Sequence, residues 1–195
     1  MKLSPRLALI PLIVAVALLG AGAATLLTRQ SNPPAPQASL IGGPFTMTAD
    51  DGRPVTDRDF RGHPFLVYFG YTHCPDVCPT ALLDISQVLK TLGPNAKIRV
   101  LFVTVDPARD TPKVMKAYLA NFDPHIVGLS GTEAQTKAME HVYRAYAKKV
   151  PGKDGDYTMD HTAIFYLMDK KGRFVSAFRT DRPAKASAAE LQEYL

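Results

Sequence analysis

The chain divides by its pattern of apolar and polar positions. Residues 7–27 (LALIPLIVAVALLGAGAATLL) carry no charge, a span long enough to cross a hydrocarbon core at about 1.5 Å per residue. Residues 31–39 (SNPPAPQAS) are proline-rich, which predicts an extended tether. Beyond them, short apolar runs alternate with stretches of helical spacing. Phe45-Thr-Met-Thr and Val55-Thr flank Asp51-Gly52, the signature of an N-terminal hairpin. Residues 65–70 (FLVYFG) are almost continuously apolar, as in a strand covered on both faces. Ala81, Leu82, Ile85, Val88 and Leu89 recur at helical spacing and predict a helix over 80–92. Strands are predicted at 98–105 and 126–129, helices at 112–122, 132–147 and 186–195, and a closing antiparallel pair at 163–168 and 173–178. The helix at 112 has Asp110 or Thr111 as its cap and Pro112 in its first turn. This alternation predicts an α/β fold with a mainly parallel central sheet flanked by helices.

Lys2 and Arg6 precede the apolar span, so the positive-inside rule keeps residues 1–6 in the cytoplasm and exports the chain beyond Arg29. We therefore divide the chain into a cytoplasmic N-terminus (1–6), a transmembrane anchor (7–27), a tether (28–40) and an exported domain (41–195). Ala21-Gly22-Ala23 also fits a signal-peptide cleavage pattern, the competing reading of the same span. The chain has 195 residues, 46% hydrophobic and 21% charged, which excludes collagen-like and charge-driven disordered classes. Its net charge is +5, but Lys2, Arg6 and Arg29 account for three of the basic residues. The remainder carries 20 basic against 18 acidic residues, no electrostatic footprint for nucleic acid. Two cysteines cannot build a disulfide framework.

Those cysteines carry the chemistry. Cys74 and Cys78 lie in Gly70-Tyr-Thr-His-Cys-Pro-Asp-Val-Cys-Pro-Thr80, where the strand FLVYFG gives way to the first helix. A helix beginning at Pro79 places Cys78 near its cap, where the dipole and free N–H groups favour a thiolate and lower the thiol pKa. A structural disulfide closing so short a loop removes little chain entropy. Reactive dithiol and metal site are the two functional readings. Dithiol oxidoreductases of this type use C-x-x-C, whereas three residues separate this pair. Two soft thiolates favour Cu(I), or zinc if further ligands converge. Of the five histidines, His63 and His125 read as surface turn residues and His141 as a helix-face or core residue. His73 adjoins Cys74, and His161 closes a Gly- and Asp-rich loop before the strand AIFYLM; both stay open as ligands. A βαβ core with a terminal hairpin and a cysteine motif at its first βα junction predicts a thioredoxin-like fold.

Four segments in register, YFGYTHCPDVCPTAL, VTVDPARDTP, FDPHIVGLSG and DYTMDHTAIFYLMD, resemble the Sco/SenC family of copper-binding, thioredoxin-like proteins. The resemblance covers most of the exported domain. It implies one copper per chain, as Cu(I) or Cu(II), held by Cys74, Cys78 and His161, with His73 part of the motif but not a principal ligand. It also implies a membrane-anchored protein of the periplasmic side that supports assembly of the binuclear copper centre in cytochrome c oxidase subunit II. That role requires an upstream copper donor and a thiol reductant. The alternatives are a thiol-disulfide oxidoreductase, with Cys74 and Cys78 as redox-active thiols acting on the copper-site cysteines of subunit II, or a redox or copper sensor. Thioredoxin-type enzymes resemble one another in a proline facing the dithiol, where this chain carries His161-Thr162-Ala163. Asp76 and Asp160 are candidates to orient His161 from outside the ligand set, and Asp106 and Arg109 to buttress the site. Met159 reads as a packing residue.

Overall fold

The computed structural model describes residues 40–153 and 155–195. The predicted segments 1–6 and 7–27, and the tether up to residue 39, lie outside the described residues. Among the described residues no helix is long and apolar enough to cross a membrane.

Strands β1 (Thr46–Ala49) and β2 (Pro54–Thr56) form the predicted N-terminal hairpin. A single 3-10 turn, Asp57–Phe60, leads to β3 (Phe65–Gly70), whose six residues are all buried. Then come α1 (Val77–Leu92), β4 (Arg99–Thr104), α2 (Pro112–Leu119), β5 (Ile126–Ser130) and α3 (Glu133–Tyr143). Next is a hairpin of β6 (Ala147–Pro151) and β7 (Tyr157–His161), followed by β8 (Phe165–Met168), β9 (Phe174–Phe178) and α4 (Ala184–Gln192).

The main sheet has seven strands in the order β2-β1-β5-β4-β3-β8-β9. It is mixed, which corrects the expectation of a mainly parallel sheet. Only β3–β4 and β4–β5 pair in parallel; the other four pairings are antiparallel. The reason is local: the N-terminal hairpin joins the edge at β5, and β8 returns along β3 in the opposite direction. Successive residues of β3 face opposite sides. Tyr68 stacks with Phe102, which meets Tyr118 of α2, while Phe69 meets Tyr143 of α3. Helices therefore cover both faces, and α4 packs against α1.

Two strand directions meet at one edge and set the position of the site. The parallel strands β3 and β4 end there, at Gly70 and Thr104. Antiparallel β8 begins there, with Phe165 opposite Tyr68. The chain entering β8, which contains His161, therefore arrives beside the chain leaving β3, which contains the cysteines.

Candidate metal centre

The cysteine loop is held before the cysteines are reached. Val105 N–H donates to the Gly70 carbonyl at 2.8 Å, tying the ends of β3 and β4. Asp110, fully buried, accepts from Thr72 N–H at 3.0 Å, from Thr72 Oγ1 at 2.6 Å and from Thr104 Oγ1 at 2.7 Å. Of the two predicted caps for α2, Thr111 is the one, accepting from Val114 N–H. Asp110 instead fastens the cysteine loop to β4, a role the sequence does not signal because it joins residues 38 positions apart.

The helix α1 begins earlier than predicted, so Cys78 is its second residue rather than a residue beside the cap. The Asp76 side chain accepts no cap hydrogen bond from the α1 backbone. Cys74 Sγ takes that place, lying 3.4 Å from the Cys78 N–H that donates to it. A sulfur thus occupies the anion-favouring end of the helix. Cys74 is half-buried and Cys78 fully buried. The expected lowering of the thiol pKa is corrected at Cys78: burial pushes its thiol up, opposed by a backbone hydrogen bond at Tyr71. Desolvation of a charge outweighs the helix dipole at a position closed to water.

Gly70 makes this burial possible. A Cβ there would lie 2.6 Å from the Phe102 ring and 2.9 Å from Cys78 Sγ.

His161 lies at the end of β7, with Nε2 3.4 Å from Cys78 Sγ. Its Nδ1 is 3.2 Å from the Thr162 carbonyl, which can only accept; in the tautomer with the proton on Nδ1, the Nε2 lone pair faces the sulfur. Burial pushes the imidazole pKa down, favouring the neutral ring that ligation needs. Tyr68 and Tyr71 present their rings edge-on to it, at 6.3 and 5.8 Å between centroids. Among the described residues, Cys74, Cys78 and His161 form one group of potential ligands, their donor atoms all within 4.8 Å of one another. Two thiol sulfurs and one unprotonated imidazole nitrogen suit a soft or borderline cation.

The other candidates lie around this group. His73 is exposed and its Nδ1 faces Thr72 Oγ1 at 3.1 Å. Asp76 is exposed and receives Thr80 Oγ1 at 3.5 Å; Asp160 is exposed on β7, and its charge acts to raise the His161 pKa. His63 and His141 are exposed. His125, read as a surface turn residue, is instead buried, its Nδ1 2.7 Å from Asp123 Oδ1. The β6–β7 hairpin replaces a predicted loop and the predicted end of α3. The signal available for it was the alternation of Tyr157, Met159 and His161, inward-facing positions on a strand of period 2.

Together these features define a thioredoxin-like domain with a Cys–Cys–His centre at the C-terminal edge of its parallel strands. The SCO1/SenC family model matches residues 33–195, and the chain belongs to that family. The chain is 37% identical over 198 residues to a SCO2-like protein of Rickettsia prowazekii (strain Madrid E), covering 95% of this chain and 96% of that one. It is 36% identical over 160 residues to the mitochondrial SCO1 homologue of Mus musculus, covering 80% of this chain and 56% of that longer protein. Among solved structures, ScoI of Bradyrhizobium japonicum with copper bound superposes with a TM-score of 0.78 at 57% identity, over 80% of this chain and 99% of that one.

Proposed function

We propose that the protein is an exported, membrane-anchored copper chaperone that binds one copper through Cys74, Cys78 and His161 and supports assembly of the copper centre of cytochrome c oxidase subunit II. The observation that carries this reading is the convergence of two sulfurs and one imidazole nitrogen within 4.8 Å, contributed by segments 83 residues apart. Two thiolates and an imidazole hold Cu(I) in a low-coordinate site, and an unfilled position lets a receiver's ligand enter before the donor's leave. The copper-bound state of the Bradyrhizobium japonicum relative supports copper as the cargo. The family resemblance supports subunit II as the receiver, and the charge-free span at 7–27 supports the anchor and the export.

A second reading, reduction of the subunit II cysteines, is favoured by one observation: the two thiols are free and differ in access, Cys74 half-buried and Cys78 closed to water. Such asymmetry gives one sulfur to attack and one to resolve.

Anaerobic copper titration of the reduced protein, beside His161→Ala and His73→Ala, separates these readings. One tight copper per chain, weakened by His161→Ala and unchanged by His73→Ala, is the expected result. Full affinity for both Cu(I) and Cu(II) in His161→Ala overturns the third ligand. Negligible copper binding by an intact dithiol, with reduction of an oxidised subunit II peptide in copper-free buffer, overturns the chaperone reading in favour of thiol exchange.

A further inference from the structure

We infer that Arg109 is a positioning residue for His161, acting as a latch at the far end of β7; this rests on the reading of His161 as a metal ligand. The β6–β7 hairpin is a two-stranded sheet separate from the seven-stranded one. Among the described residues its strand pairing is its own ladder, Ala147↔His161 through Pro151↔Tyr157. At the His161 end the ladder continues by one pair, Thr162 N–H donating to the Tyr146 carbonyl and Tyr146 N–H to Thr162 Oγ1, each at 2.9 Å. Between its ends β7 borders a cleft of about 540 Å³, lined by Val105, Thr136, Tyr157 and Met159 among others. Met159, at mid-strand, packs against the core and bonds the Tyr71 hydroxyl through its backbone, so the Tyr157 end is the part of β7 that packing constrains least.

Arg109 closes the other end. Its guanidinium pairs through Nε with Asp106, donates through Nη2 to the Tyr157 carbonyl at 3.2 Å, and reaches Asp156 Oδ1 through Nη1 at 3.3 Å. Its central carbon also lies 3.7 Å from the centroid of the Tyr157 ring. Asp106 is buried, accepts from the Tyr157 hydroxyl at 2.9 Å, and is rooted in the end of β4 through its N–H to Thr104 Oγ1. Body and strand are thus joined at this end by the Tyr157 hydroxyl on Asp106 and by a planar fork, a geometry that lysine, with a single ammonium, does not reproduce.

The consequence reaches His161 along the strand. Tyr157, Met159 and His161 share a face of β7, and four residues of strand span roughly 13 Å. Fixing Tyr157 over Asp106 and Arg109 fixes the roll of β7 about its axis, and that roll decides whether the imidazole points at Cys78 or away from it. The hydrogen bonds and ion pairs of Arg109 include neither sulfur nor imidazole, so its effect is orientation.

The test compares the full chain with Arg109→Ala, Arg109→Lys, His161→Ala and the double variant Arg109→Ala/His161→Ala. Amide exchange of the metal-free proteins gives the first readout. Arg109→Ala is expected to speed exchange across Tyr157–His161 at least tenfold while leaving β3 and β4 unchanged, with Arg109→Lys closer to alanine than to wild type. Copper gives the second. Arg109→Ala should weaken Cu(II) about 10- to 100-fold, the range for residues that orient a ligand, and reduce the nitrogen hyperfine signature of the Cu(II) spectrum. On the His161→Ala background the same substitution should cost nothing further. Unchanged exchange at β7, full restoration by lysine, or equal copper losses with and without His161 overturns the latch. If His161→Ala alone leaves affinity and nitrogen signature intact, the ligand reading fails, and the exchange arm still decides whether Arg109 holds β7.

Discussion

Gly70→Ala tests whether close approach beneath Cys78 shapes the site. The added methyl would meet Phe102 Cε2 at 2.6 Å, Cys78 Sγ at 2.9 Å and Phe102 Cζ at 3.0 Å. None of these atoms is free to yield. Phe102 is fully buried, stacked on Tyr68 and in contact with Tyr118. Cys78 is fully buried on a helix whose next turns are packed through Leu82 and Ile85. Overpacking of this kind costs about 1–3 kcal/mol. Against it stands a gain of about 0.4–1 kcal/mol, because alanine restricts the unfolded chain. At the middle of both ranges the net is a destabilisation of about 1.3 kcal/mol, which lowers the thermal midpoint of a domain this size by about 3–5 °C. Thermal and urea unfolding of the reduced, metal-free protein give the number. Introducing Gly70→Ala into Cys78→Ala removes the contact with sulfur and keeps those with the ring, so the loss should shrink by about 0.5 kcal/mol or more, the scale of coupling between touching residues. A variant that melts at or above the wild-type midpoint refutes the reasoning, and an equal loss in both backgrounds refutes the part assigned to sulfur.

Two further outcomes concern buried carboxylates. Asp110→Ala should strand the Thr72 N–H and the Thr72 and Thr104 hydroxyls, destabilising the domain by about 2–4 kcal/mol, with Asp110→Asn milder because its amide oxygen still accepts; urea unfolding measures both, and a near-neutral alanine variant sinks the anchoring role. Glu140 is buried, its pKa pushed up by desolvation and drawn back in part by Lys137, and its Oε1 has no hydrogen-bond partner among the described residues. A carboxyl more basic in the folded than in the unfolded state adds stability below its ordinary value of 4.5, and that stability is lost as pH rises through the folded value. Glu140→Gln should flatten this slope in unfolding midpoints taken between pH 4 and 7, and an unchanged slope would count against the assignment.

The sequence made the buried strands and the amphipathic helices legible because burial writes itself as apolar runs and helical spacing. The run FLVYFG is β3 without error at either end. The spacing of Leu82, Ile85 and Leu89 locates α1, which begins three residues before its predicted start because Val77 is exposed, off the apolar stripe, and Pro79 reads as a first helical position. The motif residues Cys74, Cys78 and His161 are readable, and they converge. The unreadable features have physical causes. Helix α3 stops at Arg144, which adopts the left-handed conformation at φ 55° without being glycine, so no breaker marks the end. Strand β6 exposes Lys148 and Lys149 and buries no residue fully, so it shows no apolar alternation. The direction of β8 leaves no trace in a run that is buried throughout. The ties of Asp110 to Thr72 and of Arg109 to Tyr157 join residues far apart in the chain, and only the fold brings them together.

The site divides its ligands between two kinds of support, and this bears on cargo exchange. Cys78 is packed into the core under Gly70, and Cys74 is fixed by the N–H of Cys78 and by its own N–H to the Tyr71 carbonyl. Moving the Cys78 sulfur disturbs β3, α1 and the Phe102 stack, and moving the Cys74 sulfur strips the first turn of α1 of its cap. His161 sits on a hairpin outside the main sheet, joined to the body by the Arg109 fork, by the Tyr157 hydroxyl on Asp106, by a backbone hydrogen bond from Met159 to the Tyr71 hydroxyl and by the packing of Met159 on the core. Withdrawing the imidazole breaks polar contacts and its ring contacts with Tyr68 and Tyr71, but moves no strand of the seven-stranded sheet. In the proposed chaperone the histidine is therefore the ligand that yields first to a receiver, while the two sulfurs retain the metal until the incoming ligands are in place. Stabilising the hairpin should then slow copper transfer to a receiver peptide more than it changes equilibrium affinity, whereas loosening either cysteine should weaken affinity itself. A crosslink between β6 and the β4–α2 connection, scored by transfer rate and affinity together, tests that order of release; equal effects on both would show that the three ligands leave as one unit.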